Sequence, residues 1–337
     1  MRLILPTVNG WITYGGLLLL LAAPAAQTAT PPSGSSSPEP AQPEVTYPTF
    51  NSPRLDEQLQ HYQRYLAEAG PADVLIVGSS RALQGLDPLV LQQALNQKGY
   101  TELRVFNIGV NGATAQVVDL LLRRILPPQH LPRLILWADG VRAFNSGRPD
   151  RTYQAILTSP GYRQLTIVQP LSAGLRPTQL NGPSSAVASP LDERGFLAVP
   201  NRFQPALYYQ QYPRVPGQFD GDYQAFRLWG EQTAATTALL RFTRNRRIPI
   251  VFVNLPLTQY YLDPTRQRYE RQFQRYLRRL SLRGLIVRDF NQPDLAIPDY
   301  FQDPSHLNRY GAAAVARQLA QDPKIPWPKV RRSSSAP

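Results

Sequence analysis

The chain has 337 residues, 42% of them hydrophobic and 18% charged, which allows one large domain or two small ones. It holds no cysteine and only three histidines, His61, His130 and His306, which excludes disulfide scaffolds, thiol catalysis and Cys-based metal sites and leaves almost nothing for a multi-histidine centre. The formal net charge is +13, and apart from Lys98, Lys324 and Lys329 every basic side chain is an arginine. These arginines are spread along the chain without a zinc-finger, basic-zipper or RNP motif, so nucleic acid is not an expected partner and a solvated arginine-rich surface is the plainer reading. Attraction to anionic glycans or lipid headgroups stays open on charge alone.

The N-terminus opens with Arg2 and continues into an uncharged stretch, Trp11 to Ala26. Those 16 residues fall short of the ~20 that a membrane-spanning helix needs. A positive start, an apolar middle and the small residues Ala23-Pro24-Ala25 have the form of an export signal over 1–26, either cleaved or kept as an anchor through 11–26. Both place the rest of the chain outside the cytoplasm, in the periplasm or cell envelope. Residues 27–53 are rich in Pro, Ser, Thr and Gln and cannot bury enough apolar surface to order themselves, which predicts a disordered tether. The folded unit is expected over 54–322, followed by a basic disordered tail over 323–337.

Within that unit five short apolar runs have the character of buried parallel strands: Asp73–Val77, Leu103–Asn107, Arg133–Trp137, Pro249–Asn254 and Leu285–Asp289. Helical patterns flank them at Leu55–Ala69, Leu86–Lys98, Ala115–Ile125, Tyr223–Arg244, Pro264–Leu282 and Arg309–Ala320. This alternation predicts an α/β fold of three α/β/α layers, with a parallel sheet of about five strands and chemistry beyond its carboxyl ends. After the third strand, from about 145 to 221, the pattern gives way to Pro, Gly, Tyr and Gln, which predicts a long insertion over the strand ends. Its Phe203, Tyr208, Tyr209 and Tyr212 suit either a sugar-stacking lid or packing on the core.

Three chain segments next to predicted strands or helices carry the reactive side chains. The first strand runs into Gly78-Ser79-Ser80 and then a helix, which puts a hydroxyl beside helix N–H groups able to receive a developing oxyanion. The second ends in Asn107 and turns through Gly109 and Gly112 before Thr114. Just before the last helix, Asp303 and His306 stand three apart, with Asn308 as a plausible N-cap. A serine is a poor nucleophile until a base takes its proton, histidine is the best base near neutral pH, and a carboxylate fixes its tautomer. Taken singly, each block also suits a bland role: a capping serine, an ordinary strand turn, a surface histidine in a helix cap. His61 and His130 have the look of surface residues without a role.

In chain order these blocks resemble the SGNH/GDSL hydrolase family. Gly78-Ser79-Ser80 stands where that family has Gly-Asp-Ser, so Ser80 takes the nucleophile's place and Ser79 replaces the aspartate. Gly112 in NGAT matches the glycine whose N–H helps form the oxyanion hole, and Asp303 with His306 matches the closing Asp-x-x-His. The family's third block supplies an oxyanion-hole asparagine, but here the strand ends ILWADGVRAFNSGR and the aligned position falls near Val141. Either Asn145 moves in from a longer turn, or Arg142 or backbone serves, or the hole is incomplete. Asp139 is a further polar candidate, though its charge would oppose an oxyanion. Arg81 and Arg142 are candidates for substrate binding.

The resemblance implies a flavodoxin-like sheet and a serine esterase or O-acyltransferase that uses no metal and no cofactor. The pattern is most like an exported branch common in cyanobacteria and is similar to modules that O-acetylate exported polysaccharides. The implied partner is an acylated glycan or small ester. The alternative is a catalytically idle SGNH-like module that binds glycan or an envelope partner. A nucleotide- or flavin-binding domain is a third reading, weakened by the lack of a Gly-x-Gly-x-x-Gly after a strand and of a Walker lysine.

Overall fold

In the computed structural model the described residues are 48–167 and 190–329, with the backbone of Val45–Thr46 and Thr178–Gln179. The expected export segment 1–26, most of the tether, part of the insertion and the end of the tail lie outside them.

The elements in chain order are β1 (Val45–Thr46), α1 (Pro53–Ala69), β2 (Val74–Val77), α2 (Ser80–Gly85), α3 (Pro88–Gln97), β3 (Val105–Asn107), α4 (Ala115–Leu120), β4 (Leu134–Asp139), α5 (Arg151–Leu157), α6 (Pro160–Ile167), β5 (Thr178–Gln179), α7 (Pro205–Gln211), α8 (Glu231–Asn245), β6 (Ile250–Asn254), α9 (Pro264–Ser281), β7 (Ile286–Asp289) and α10 (Arg309–Ala320). The five expected strands form one parallel sheet in the order β3-β2-β4-β6-β7, while β1 and β5 pair antiparallel outside it. Counted among themselves the sheet strands run 2-1-3-4-5, the flavodoxin-like order. The register sets Val74 beside Val105 and Leu134, Ile135 beside Ile250, and Val251 beside Ile286.

Successive strand side chains point to opposite faces, so each apolar run feeds two cores. Leu75, Val77, Phe106, Ile135, Trp137, Ile250 and Phe252 pack with α1, α4, α8 and α9 on one face. Val74, Ile76, Val105, Leu134, Leu136, Val251 and Val253 pack with α3 and α10 on the other. The three layers follow from this. No helix among the described residues is long and apolar enough to cross a membrane.

Three expectations need correction. The predicted helix Tyr223–Arg244 starts only at Glu231; Gly230 at φ +111° breaks the chain before it, and Tyr223 and Phe226 sit on a loop with their rings stacked on Tyr269. The packed unit also exceeds 54–322 at both ends, because Phe50, Ile325 and Trp327 are buried in its cores. The insertion carries α5, α6 and α7, and its later part runs past the end of β3. There the Asn107 N–H donates to the Arg194 carbonyl (2.9 Å), which covers an otherwise open sheet edge. Of its four aromatics, Phe203 is a core residue, edge-to-face with Tyr208, Tyr209 and Tyr260.

One buried charge departs from the apolar pattern of α9. Glu270 lies on the face that carries Phe273, Leu277 and Leu280 inward, and neither carboxylate oxygen has a hydrogen-bond partner. Burial pushes its pKa up to about 7 against the opposing pull of Arg81. The unfolded chain ionises this group near the ordinary value, so the penalty grows as pH rises from ~4.5 to about 7 and is constant above. Glu270→Gln is therefore expected to raise the unfolding free energy read from urea titrations at pH 8, by an amount on the order of 3 kcal/mol, and to match the parent at pH 4. Identical pH profiles for the two proteins would contradict this placement.

Candidate active site

The turn after β2 is shaped by sterics. Gly78 has φ +142°, and a Cβ there would lie 2.3 Å from the Ala138 carbonyl oxygen of β4. The glycine thus lets the turn press against the neighbouring strand end. Ser79 then caps α2: its Oγ accepts from the Arg81 N–H (3.2 Å) and donates to Asp139 Oδ1 (3.0 Å), while its own N–H donates to Asp139 Oδ2 (2.8 Å). Asp139, the last residue of β4, is 1% exposed and also accepts from the Gly140 N–H. Burial pushes its pKa up, against Arg81 and these donors.

Ser80 is the first residue of α2, so its N–H has no helical acceptor. Its Oγ lies 2.9 Å from His306 Nε2, although 226 residues separate the two in sequence. His306 Nδ1 lies 2.8 Å from Asp303 Oδ2. With the ring proton on Nδ1 and donated to Asp303, Nε2 is free to accept from the serine hydroxyl. Asp303 Oδ1 accepts from the N–H groups of Ser305 (2.8 Å) and His306 (2.9 Å). Burial works to raise the Asp303 pKa, but His306 and these donors outweigh it and hold the carboxyl at about 2. The Asp303 and His306 side chains remain 25% and 21% exposed, so the trio is open at one side.

The segment that delivers Asp303 and His306 is stapled from below. Phe301 bridges Leu307, and the Gln302 N–H donates to the His306 carbonyl. Asn308 is fully buried; its Oδ1 caps α10 at Tyr310 and Gly311, and its Nδ2 donates to the carbonyls of Asp299 and Phe301. The N-cap expected from sequence is therefore also the anchor of the loop.

The other candidates fare unequally. Gly112 follows β3 at φ +72°, and a Cβ there would meet Thr152 Oγ1 at 2.5 Å. It borders a hollow of about 480 Å³ with Arg148, Thr152, Asp222 and Gln224. Asn145 is not an available oxyanion donor. It is fully buried; its Nδ2 donates to the carbonyls of Asp222 (2.9 Å) and Gln224 (3.3 Å), and its Oδ1 accepts from the N–H groups of Gly147 and Arg227. Arg81 is not a substrate-binding residue either. It is 4% exposed and donates through Nη2 to the carbonyls of Leu255 and Pro256, both at 2.8 Å, pinning the end of β6. Arg142 stays beside the site, 3.3 Å from Asp222 Oδ2 and 3.5 Å from Ser305 Oγ, which in turn lies 3.3 Å from His306 Nδ1. His61 is buried on α1 rather than on the surface, and burial lowers its pKa.

Sequence reasoning missed Ser305 and Gln58. Gln58 donates to the carbonyls of Gly109 (3.1 Å) and Gly195 (2.8 Å), tying the turn after β3 to the insertion. The signal for Gln58 was a polar residue on the inward face of a helix. Asn107 does related work: its Nδ2 donates to the carbonyls of Ala82 and Leu86 and its Oδ1 accepts from Gly109.

Neither a family model nor a curated protein matches this chain. Among solved structures it is similar to a catalytic variant of an acetylxylan esterase from Geobacillus stearothermophilus (14% identity, 77% of this chain and 96% of that one, TM-score 0.39). It is also similar to an alpha/beta hydrolase enzyme from the metagenome of Lake Arreo, Spain (13% identity, 75% and 98%, TM-score 0.36). A third similar structure is an esterase of the SGNH-hydrolase family (17% identity, 74% and 96%, TM-score 0.30).

Two outcomes follow from the site geometry. Asp303 has a folded pKa below its ordinary value, so its stabilisation is full above pH ~4 and is lost as pH falls through about 2. Asp303→Asn is expected to cost up to ~2 kcal/mol at pH 7, less what its partial exposure screens, with the gap from the parent closing between pH 4 and pH 2 in urea titrations. Asn145→Ala is expected to lower stability by ~1–3 kcal/mol, because buried backbone groups lose their partners. Any turnover of a small ester should stay within about threefold of the parent's, whereas a drop of ~10²–10³ would make Asn145 an oxyanion donor.

Proposed function

We propose that this chain is a serine-dependent ester hydrolase or O-acyltransferase acting outside the cytoplasm on O-acyl, chiefly acetyl, groups of envelope or extracellular polysaccharide. The observation that carries the reading is the continuous chain from Ser80 Oγ to His306 Nε2 (2.9 Å) and from His306 Nδ1 to Asp303 Oδ2 (2.8 Å). His306 takes the hydroxyl proton as Ser80 Oγ bonds to the ester carbonyl carbon. Asp303, ionised at any physiological pH, stabilises the imidazolium that results. The N–H of Ser80, at the positive end of α2, and that of Gly112 receive the oxyanion. Collapse of the tetrahedral intermediate breaks the ester C–O bond, and His306 returns its proton to the departing alkoxide. Water or a sugar hydroxyl then gives its proton to His306 and attacks the acyl-serine, which releases the acid or the new ester.

Hydrolase and transferase share the acyl-enzyme, so the acceptor alone separates them. The partly open trio and the hollow beside Gly112, with Arg148, Thr152, Asp222 and Gln224 in its wall, support a bulky, hydrophilic substrate over a lipid ester. The engagement of Asn145 elsewhere favours one second reading, an idle module that binds glycan without turning it over. Fluorophosphonate labelling decides between them: labelled Ser80 supports the enzyme, and an unlabelled folded protein supports the binding module. Ser80→Ala is expected to lower turnover of a short-chain acyl ester by ~10³-fold or more. Incubation with an acetyl donor and oligosaccharide then reads transfer as acetylated sugar and hydrolysis as free acetate.

A further inference from the structure

A second concavity lies between the loop before α8 and the C-terminal half of α9, with a volume of about 780 Å³. Five arginines line it: Arg227 on the loop wall, Arg275, Arg278 and Arg279 on the helix wall, and Arg283 in the turn just after the helix. No carboxylate lines it, and none of the five forms an ion pair among the described residues. Arg275 and Arg279 are one helical turn apart, ~6 Å along the axis, so their guanidinium groups share a face. On the opposite wall the Arg227 guanidinium stands 5.0 Å over the Trp229 ring, and its Nε is buried without a partner. Trp229 itself is 69% exposed.

Arginines in the last turn of a helix also serve its macrodipole, which accounts for Arg278 and Arg279. It does not account for Arg275, for Arg227 on the other wall, or for a tryptophan left open to water beside them. A cleft with unpaired guanidinium forks on both sides and an exposed indole suits a ligand that carries carboxylates at intervals and offers flat sugar faces between them. The concave form suits a strand better than a bilayer, which the two exposed apolar residues of the lining, Trp229 and Leu282, would enter only shallowly.

The loop provides the link to the ester site. Asp220, Gly221, Asp222 and Gln224 wall the hollow beside Gly112, and the next residues, Phe226 to Trp229, wall the arginine groove. We propose that this groove binds an acidic, uronate-bearing polysaccharide strand and holds it while an acylated unit of the same strand reaches Ser80, an assignment that rests on the ester reading above for its link to catalysis. The binding itself does not depend on that reading.

The test measures polygalacturonate fragments binding to the full chain by calorimetry, with neutral xylo-oligosaccharide, an oligothymidylate and anionic phosphatidylglycerol vesicles as comparisons. The parent protein is expected to prefer polygalacturonate, with affinity falling steeply from ~0.01 to ~0.15 M salt as the Debye length shrinks from ~30 to ~8 Å. The Arg275→Gln/Arg278→Gln/Arg279→Gln protein should bind about tenfold or more weakly while hydrolysing p-nitrophenyl acetate as the parent does. Trp229→Ala, a separate surface change, should weaken binding with little change in salt dependence. Equal binding by the triple variant overturns the proposal, as does tighter binding of the oligonucleotide or the vesicles. Polygalacturonate binding without any ester turnover supports the groove and removes the ester reading, so the two fail separately.

Discussion

The geometry of Ser80 depends on one buried carboxylate. Asp139 ends the central strand β4 at 1% exposure and grips the N–H and hydroxyl of Ser79 together with the N–H of Gly140. A charge buried so deeply is tolerated only with donors and a counter-charge. Arg81 supplies the counter-charge and is itself held by two carbonyls at the end of β6. The chain therefore cannot turn through Gly78-Ser79-Ser80 in another way without orphaning several buried groups. Ser80 is aimed by its neighbour's bonds and makes none of them itself. Ser79 and Asp139 thus tie the carboxyl ends of β2 and β4 directly together.

The position of this cluster follows from the order of the strands. The sheet grows from β2 to β3 on one side and then from β4 onward on the other, so the connections leave β2 and β4 in opposite directions and open a crevice between their carboxyl ends. Gly78 and Asp139 stand on its two sides. The N-terminus of α2 lies there, where the Ser80 N–H has no acceptor within the helix, which favours negative charge. His306 comes to this crevice from the far end of the chain. The segment before α10 holds it there because Asn308 spends its whole side chain on the backbone around it, and Asp303 spends one oxygen on the N–H groups of Ser305 and His306. The imidazole is thus held in place by its own loop.

Much of this was legible in the residues. The five strands were visible as short runs bounded by turn residues because both faces of the sheet are covered, which leaves no polar alternation to confuse them. The trio Ser80, Asp303 and His306 stood out because each sits where a strand or loop meets a helix. The failures share a cause. Asn145, Arg81 and the start of α8 were each read from spacing along the chain, whereas their roles are set by what lies across from them. Asn145 faces the 222–227 loop, Arg81 faces the end of β6, and the apolar residues Phe226 and Leu228 belong to a loop packed on Tyr269 and on the helix α9 groove. Periodicity cannot distinguish an apolar loop that packs sideways from one more turn of helix.

The fate of Asn145 connects the two concavities. A hydrogen-bond donor at the end of the third sheet strand could have stabilised an oxyanion directly. Here that amide is turned away and holds the carbonyls of Asp222 and Gln224 and the N–H of Arg227. Those three residues belong to the one loop that walls both the hollow beside Gly112 and the arginine groove. Arg142 and Arg148 grip the same loop through Asp222, and Arg142 reaches Ser305 beside the imidazole. The Asn145 side chain therefore sets the shape of the loop that both concavities share. On the ester reading proposed above, an oxyanion left to backbone N–H groups would make turnover lean more on how a bound strand is positioned, because interactions remote from the reacting bond can be spent on orienting it.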